Sequence, residues 1–360
     1  MASTDMQGPQ DTKFFTRSWT PPPGTPTRAQ VLFVHGFVEH IQRYEHCFPR
    51  FAEKGIAVFA YDQRGFGQTA FYTPKHSQGV TSWPQQLGDV EYFLKHAQGL
   101  AKEKGVPLFL YGHSMGGGLS LAYPTRIPPL PLVGEVAGVV ASSPLLRQAK
   151  AVRAPGIVVR AGSLLGKLSG TLPLKAEVKA EDCTRDPVAA ETYAKDPLCK
   201  QVGTFRGVAD MLLGGESLMS SGYRNWPKGL PLLIVHGTGD KVTCHHSSEE
   251  FVEKVKGKEV GAVDAEYKPF EGFYHEMHNE PGDDKWHEQD HIINWILSRL
   301  PSQPSASSSP SAPAATSTTD PIAVAAAAAG VSAAPPPEVK VQPATAPATP
   351  EKAEERESKL

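Results

Sequence analysis

The chain is 360 residues long, 40% hydrophobic and 21% charged, with 33 glycines, 33 prolines and four cysteines. Its formal net charge is -2, which gives no electrostatic case for nucleic acid binding. The scattered cysteines (Cys47, Cys183, Cys199, Cys244) exclude a disulfide-stapled scaffold and show no metal-ligand spacing.

In chain order, residues 1–10 are polar and read as a loose start. Residues 13–19 read as a short strand, followed by a Pro-rich turn at 21–26. The apolar run 31–34 is a buried strand that stops at His35-Gly36. A helix over 44–54 and a buried strand over 56–60 follow. A helix over 85–104, closed by Gly105, leads to a third buried strand at 107–111. That strand meets Gly112-His113-Ser114-Met115-Gly116, where a new helix begins, and 136–142 is the next strand. Strand and helix alternation with short links predicts an α/β protein with a mostly parallel sheet covered on both faces.

The alternation breaks at 144–225, which lacks clean strand runs and reads as a helical insertion over the strand ends. The pattern resumes with a buried strand at 231–235, a helix at 247–257, a strand near 263–269 and a helix at 286–299. The core is thus expected from 1–143 and 226–299. Residues 301–360 hold 11 prolines, 16 alanines and no aromatic residue. They read as a disordered tail. Taking its four basic and six acidic residues from the totals leaves 32 of each in the body.

The motif at 112–116 carries chemistry. A strand turning sharply into a helix puts a serine at the apex, with small residues on either side so that the backbones can approach. Ser114 is the expected nucleophile. It needs a base, and the base needs an orienting acid, in the chain order Ser, acid, His. Asp240 follows the strand 231–235 and is the expected acid, with Asp264 as the alternative. His275, before the last helix, is the expected base, with His278 as its rival. His236 ends a strand and is expected to pack beneath the acid loop. The N–H groups of Phe37 and Met115 are the expected oxyanion donors. The chemistry would be acyl transfer from an ester, with no metal or organic cofactor.

Five stretches together resemble monoacylglycerol lipases of the fungal type, in the α/β-hydrolase superfamily. They are His35-Gly36-Phe37-Val38-Glu39-His40 with Arg43-Tyr44, Asp62-Gln63-Arg64-Gly65-Phe66-Gly67, Gly112-His113-Ser114-Met115-Gly116-Gly117, His236-Gly237-Thr238-Gly239-Asp240, and Tyr274-His275-Glu276-Met277-His278. Asp196-Pro197-Leu198 adds to the likeness. The resemblance implies an α/β-hydrolase fold with 144–225 as an inserted helical cap, and an apolar channel that takes one acyl chain of a monoacylglycerol or similar single-chain lipid ester. It also implies a polar pocket for glycerol, to which Glu39, Arg43 and His278 correspond. Glu39 and Arg43, four apart, also suit an ordinary ion pair. Phe37 is bulky where some relatives carry a small residue. Lysophospholipids and other fatty-acyl or short-chain esters are alternative substrates. A non-catalytic binding member of the fold is the alternative of a different class.

Apolar stretches in the insertion, Ile157-Val158-Val159 and 163–169 among them, suggest peripheral membrane or lipid-droplet contact. No N-terminal apolar run precedes a cleavage site, so secretion is not expected, and no apolar run of about 18 residues suggests a membrane span. The chain ends in Ser358-Lys359-Leu360, an address read by the peroxisomal import receptor. A peroxisomal location is therefore expected, with cytoplasm or lipid droplet as alternatives.

Overall fold

The computed structural model describes residues 2–72 and 77–301. The tail from residue 302 onward, with Ser358-Lys359-Leu360, lies outside the described residues. In chain order the strands are β1 (Ala2–Gln7), β2 (Lys13–Trp19), β3 (Ala29–Val34), β4 (Ile56–Tyr61), β5 (Leu108–His113), β6 (Val136–Ser142), β7 (Pro173–Lys175), β8 (Val202–Thr204), β9 (Leu232–Gly237) and β10 (Ala265–Phe270). The helices are α1 (Phe48–Glu53), α2 (Trp83–Lys104), α3 (Met115–Ala122), α4 (Gly156–Leu168), α5 (Ala180–Cys183), α6 (Pro187–Lys195), α7 (Phe205–Ser220), α8 (His245–Lys256) and α9 (Asp284–Ser298).

Eight strands form one sheet in the order β1-β2-β4-β3-β5-β6-β9-β10. β1 and β2 pair antiparallel, as do β2 and β4, and every other neighbour is parallel. This is the α/β-hydrolase fold. Every residue of β3, β4, β5 and β9 is buried, which is why these strands are mostly apolar rather than alternating, with Gln30, His113 and His236 as buried polar exceptions. Successive side chains still go to opposite faces. Leu32 and Val34 join Leu87, Phe93, Leu119 and Phe251 beneath α2, α3 and α8. Val31 and Phe33 join Phe48, Phe51, Ile292 and Ile296 beneath α1 and α9. α2 stops at Gly105, whose φ of 64° gives the left-handed cap that glycine adopts without penalty.

Three differences from the sequence reading have local causes. The start of the chain is not loose: Ala2–Gln7 pairs with β2 as an edge strand. The expected helix over 44–54 is split into a short 3-10 turn at Ile41–Tyr44 and α1, which carries Pro49 in its first turn. The insertion between β6 and β9 contains four helices, but also an antiparallel ribbon of β7 with β8. Among the described residues no helix is long and apolar enough to cross a membrane.

The parallel strands bring the ends of β3, β5, β9 and β10 to one edge of the sheet, where ligands of such sheets bind. The loops bearing Phe37, Ser114, Asp240 and His275 leave from that edge, and the inserted helices begin there after β6.

Candidate active site

Ser114 sits between β5 and α3 with φ 54° and ψ -117°, a conformation that costs a non-glycine residue about 1–3 kcal/mol. The turn is tight enough to require glycine on both sides. A Cβ on Gly112 would lie 2.2 Å from the Gly116 carbonyl oxygen, and one on Gly116 would lie 2.1 Å from that of Val34. The backbone is pinned by Ser114 N–H donating to Ser142 O at 2.9 Å, while Ser114 O accepts from Leu145 N–H at 2.9 Å. Met115 opens α3, so its N–H belongs to the helix-start donors without an intrahelical acceptor.

His275 Nε2 lies 2.9 Å from Ser114 Oγ, and its Nδ1 lies 2.7 Å from Asp240 Oδ2. All three residues are buried. Asp240 is held by more than His275: its Oδ1 accepts from the N–H groups of Val242 and Thr243 at 2.7 and 2.9 Å. Its Oδ2 accepts from Thr243 Oγ1 at 2.8 Å. Gly237 lets the two loops approach, since a Cβ there would meet Phe273 O at 2.3 Å. Burial alone would raise the Asp240 pKa, but the facing His275 and His236 hold it well below the carboxylate range. Burial alone would lower the His275 pKa, but the Asp240 charge and hydrogen bond leave it above the ordinary histidine value. Such a serine has an acceptor for its proton, and the resulting imidazolium has a counter-charge.

The rivals lie elsewhere. Asp264 is gripped by Arg299 at 2.6 and 2.9 Å. The His278 ring stacks on Tyr44 with centroids 4.5 Å apart, and burial lowers its pKa to about 3. His113 packs edge-on to His278 and lies 4.9 Å from the His275 ring centroid.

In the loop after β3, His35 Nε2 accepts from Gln63 N–H at 2.7 Å and its Nδ1 meets Gly36 O at 2.8 Å. Glu39 folds back beneath this loop and accepts from Gly36 N–H. It also accepts from Tyr44 OH at 3.1 Å and Arg43 at 3.2 Å. Arg43 has a stronger partner that the sequence reading missed. It donates twice to Glu276, at 2.5 and 2.7 Å, and its guanidinium lies 4.5 Å from the Tyr193 ring centroid. Burial pushes the Glu39 carboxyl up. Glu276, where Arg43 overrides burial, is pushed down.

A cavity of about 250 Å³ opens on Ser114 and His275. Phe37, Leu145, Val178, Val208, Met211 and Leu212 supply apolar walls, and Glu39 a polar one. Five of these seven, Leu145, Val178, Val208, Met211 and Leu212, come from the insertion. Arg43 lines a separate cavity with His40, His46 and Asp196. Among the described residues, one group of three metal-ligating side chains stands together. It comprises His40, Asp196 and Cys199, with ligand atoms within 4.8 Å. The His40–Asp196 contact there is an ordinary 2.9 Å hydrogen bond, and burial pushes the Cys199 thiol pKa up, away from the thiolate a metal prefers.

The profile of the serine aminopeptidase S33 family matches residues 25–282. Over 289 residues the chain is 32% identical to the monoacylglycerol lipase of Mycolicibacterium smegmatis, covering 78% of this chain and 92% of that one. It is 29% identical to human monoglyceride lipase over 298 residues, covering 81% of this chain and 89% of the relative. Among solved structures, a soluble variant of Saccharomyces cerevisiae monoglyceride lipase bound to a substrate analogue superposes with a TM-score of 0.74. It shares 26% identity, and the match covers 84% of this chain and 96% of that one. The fold, the helical insertion and these matches make the chain a member of the S33 family of α/β-hydrolases, a serine hydrolase in the lipase and esterase branch that includes the monoglyceride lipases.

Proposed function

We propose that the protein hydrolyses monoacylglycerols to fatty acid and glycerol. One observation carries this reading: the Ser114–His275–Asp240 hydrogen-bonded chain opens into a cavity where apolar side chains such as Phe37, Leu145, Val208 and Met211 stand with polar ones, Glu39 and Glu276 among them. In this reading His275 takes the Ser114 proton as Oγ attacks the ester carbonyl. The N–H groups of Phe37 and Met115 stabilise the oxyanion. His275 then protonates the departing glycerol oxygen, leaving an acyl-serine. A water, deprotonated by His275, attacks that ester, and the fatty acid leaves as Ser114 regains its proton.

The acyl chain lies against Leu145, Val208 and Met211, and the glycerol turns toward Glu39, with Arg43 and His278 behind it. The cap comprises 144–225 and the core 1–143 with 226–299. The cap also supplies a face for lipid: Ile157, Leu164 and Leu168 of α4 are 78%, 63% and 86% exposed, beside exposed Arg160 and Lys167. An apolar stripe flanked by basic residues suits contact with a membrane or lipid droplet. Delivery to peroxisomes rests on Ser358-Lys359-Leu360 alone.

The test is a rate comparison among a long-chain monoacylglycerol, the matching lysophospholipid and an amino-acid amide. The expected order puts the monoacylglycerol first by about tenfold or more, because a phosphocholine group would have to enter beside the buried Glu39. Faster cleavage of the lysophospholipid or the amide would overturn the substrate assignment.

A further inference from the structure

Asp240 Oδ2 is approached by imidazoles from two sides. On one side stands His275 Nδ1 at 2.7 Å, with Ser114 Oγ 2.9 Å beyond its Nε2. On the other stands His236 Nε2 at 3.0 Å, with Ser248 Oγ 2.8 Å beyond its Nδ1. The order hydroxyl, imidazole, carboxylate therefore occurs twice and converges on one oxygen. The second arm is sealed, since His236 and Ser248 are both 0% exposed. No substrate reaches it.

Proton bookkeeping fixes the direction of every bond in this arm. An ionised carboxylate only accepts, so the His236 nitrogen facing Asp240 carries hydrogen. In a neutral ring the other nitrogen is then an acceptor, and Ser248 donates its hydroxyl proton to it. Ser248 lies on α8 and His236 at the end of β9. The arm thus ties the acid loop to two rigid elements. The titratable groups around His236 are Asp240, His275 across the carboxylate, and His245 of α8, with ring centroids 6.3 Å away.

We infer that His236, buttressed by Ser248, is a positioning residue for hydrolysis that orients the Asp240 carboxylate and shares its charge with His275. The inference rests on the Ser114–His275–Asp240 reading above. Its consequence is specific. Removing the His236 donor leaves more of the Asp240 charge to His275, so imidazolium becomes easier to form and the acid limb of activity moves to higher pH.

The experiment compares His236→Leu, His236→Gln and Ser248→Ala with the parent chain, measuring kcat, KM and the pH profile of kcat/KM on a soluble acyl ester. Ser114→Ala serves as the control. In His236→Leu, kcat is expected to fall about 10- to 100-fold with KM nearly unchanged, and the acid limb to rise by about half a unit. The Gln amide can donate to Asp240, so His236→Gln is expected to recover most of kcat. Ser248→Ala, a small change that carries the test if His236→Leu does not fold, is expected to shift the limb in the same direction by less. Unshifted limbs in all three variants overturn the inference, whether their rates match the parent or fall together. Residual hydrolysis by Ser114→Ala at the parent rate would instead overturn the underlying triad reading.

Discussion

Arg43 and Glu276, 233 residues apart, meet through two hydrogen bonds of 2.5 and 2.7 Å in a largely buried ion pair, with side chains 8% and 5% exposed. Glu276 directly follows His275, and its N–H donates to Cys183 O at 2.7 Å. The pair therefore clamps the loop that carries the proposed base to both the core and the insertion. Removing one partner strands a charge. Arg43→Met is expected to destabilise the fold by about 3–5 kcal/mol, measured by urea unfolding. Arg43→Met with Glu276→Gln removes both charges and is expected to recover a large part of that loss. Equal destabilisation by the single and double variants would show that packing, not charge, dominates.

The base also sets a pH requirement. His275 must be neutral to accept the Ser114 proton, and its pKa lies above the ordinary value of 6.5 because Asp240 outweighs burial. Activity is therefore lost as pH falls through that raised pKa. The acid limb of kcat/KM is expected above pH 6.5. A limb below 6 would mean that burial wins over the carboxylate.

Glu288 of α9 lies fully buried under the sheet, 2.6 Å from Ser142 Oγ, with its pKa raised by burial to about 7. Its folded pKa exceeds the unfolded one. The stability tied to its protonated form is complete below the unfolded pKa and is lost as pH rises through 7. Glu288→Gln is expected to abolish this loss, gaining up to roughly 3 kcal/mol over the parent at pH 8 and little at pH 4. Unfolding curves across that range check it. A gain independent of pH would contradict the assignment.

The apolar stripe of α4 gives a fourth expectation. Ile157→Ser with Leu164→Ser and Leu168→Ser is expected to cut co-sedimentation with anionic phospholipid vesicles by about tenfold or more. Activity on a soluble short-chain ester should stay unchanged, because these side chains point into solvent. Undiminished sedimentation would place lipid contact on another face.

The parts legible in sequence were those buried on both sides. Val31–Val34 and Leu232–Val235 are continuous apolar runs because helices cover both faces of the sheet. The positions of Ser114 and Asp240 followed from where such runs stop, whereas β10 is only partly buried and His275 was read from its loop ahead of the last helix. β1 was illegible because an edge strand, hydrogen-bonded only to β2, needs no apolar face. β7 and β8, three residues each, are too short to show a period. The Arg43–Glu276 pair depends on a loop meeting that no local spacing records. His236 was visible as a residue beneath the acid loop. Its hydroxyl partner Ser248, on the next helix, was not.

The central claim is that Ser114 is an activated nucleophile. Intact-mass and peptide analysis after treatment with a fluorophosphonate probe tests it most directly. One adduct per chain, located on Ser114, absent from Ser114→Ala and strongly slowed in His275→Ala, is the expected result. No adduct on folded protein, or an adduct on another residue, would contradict the account.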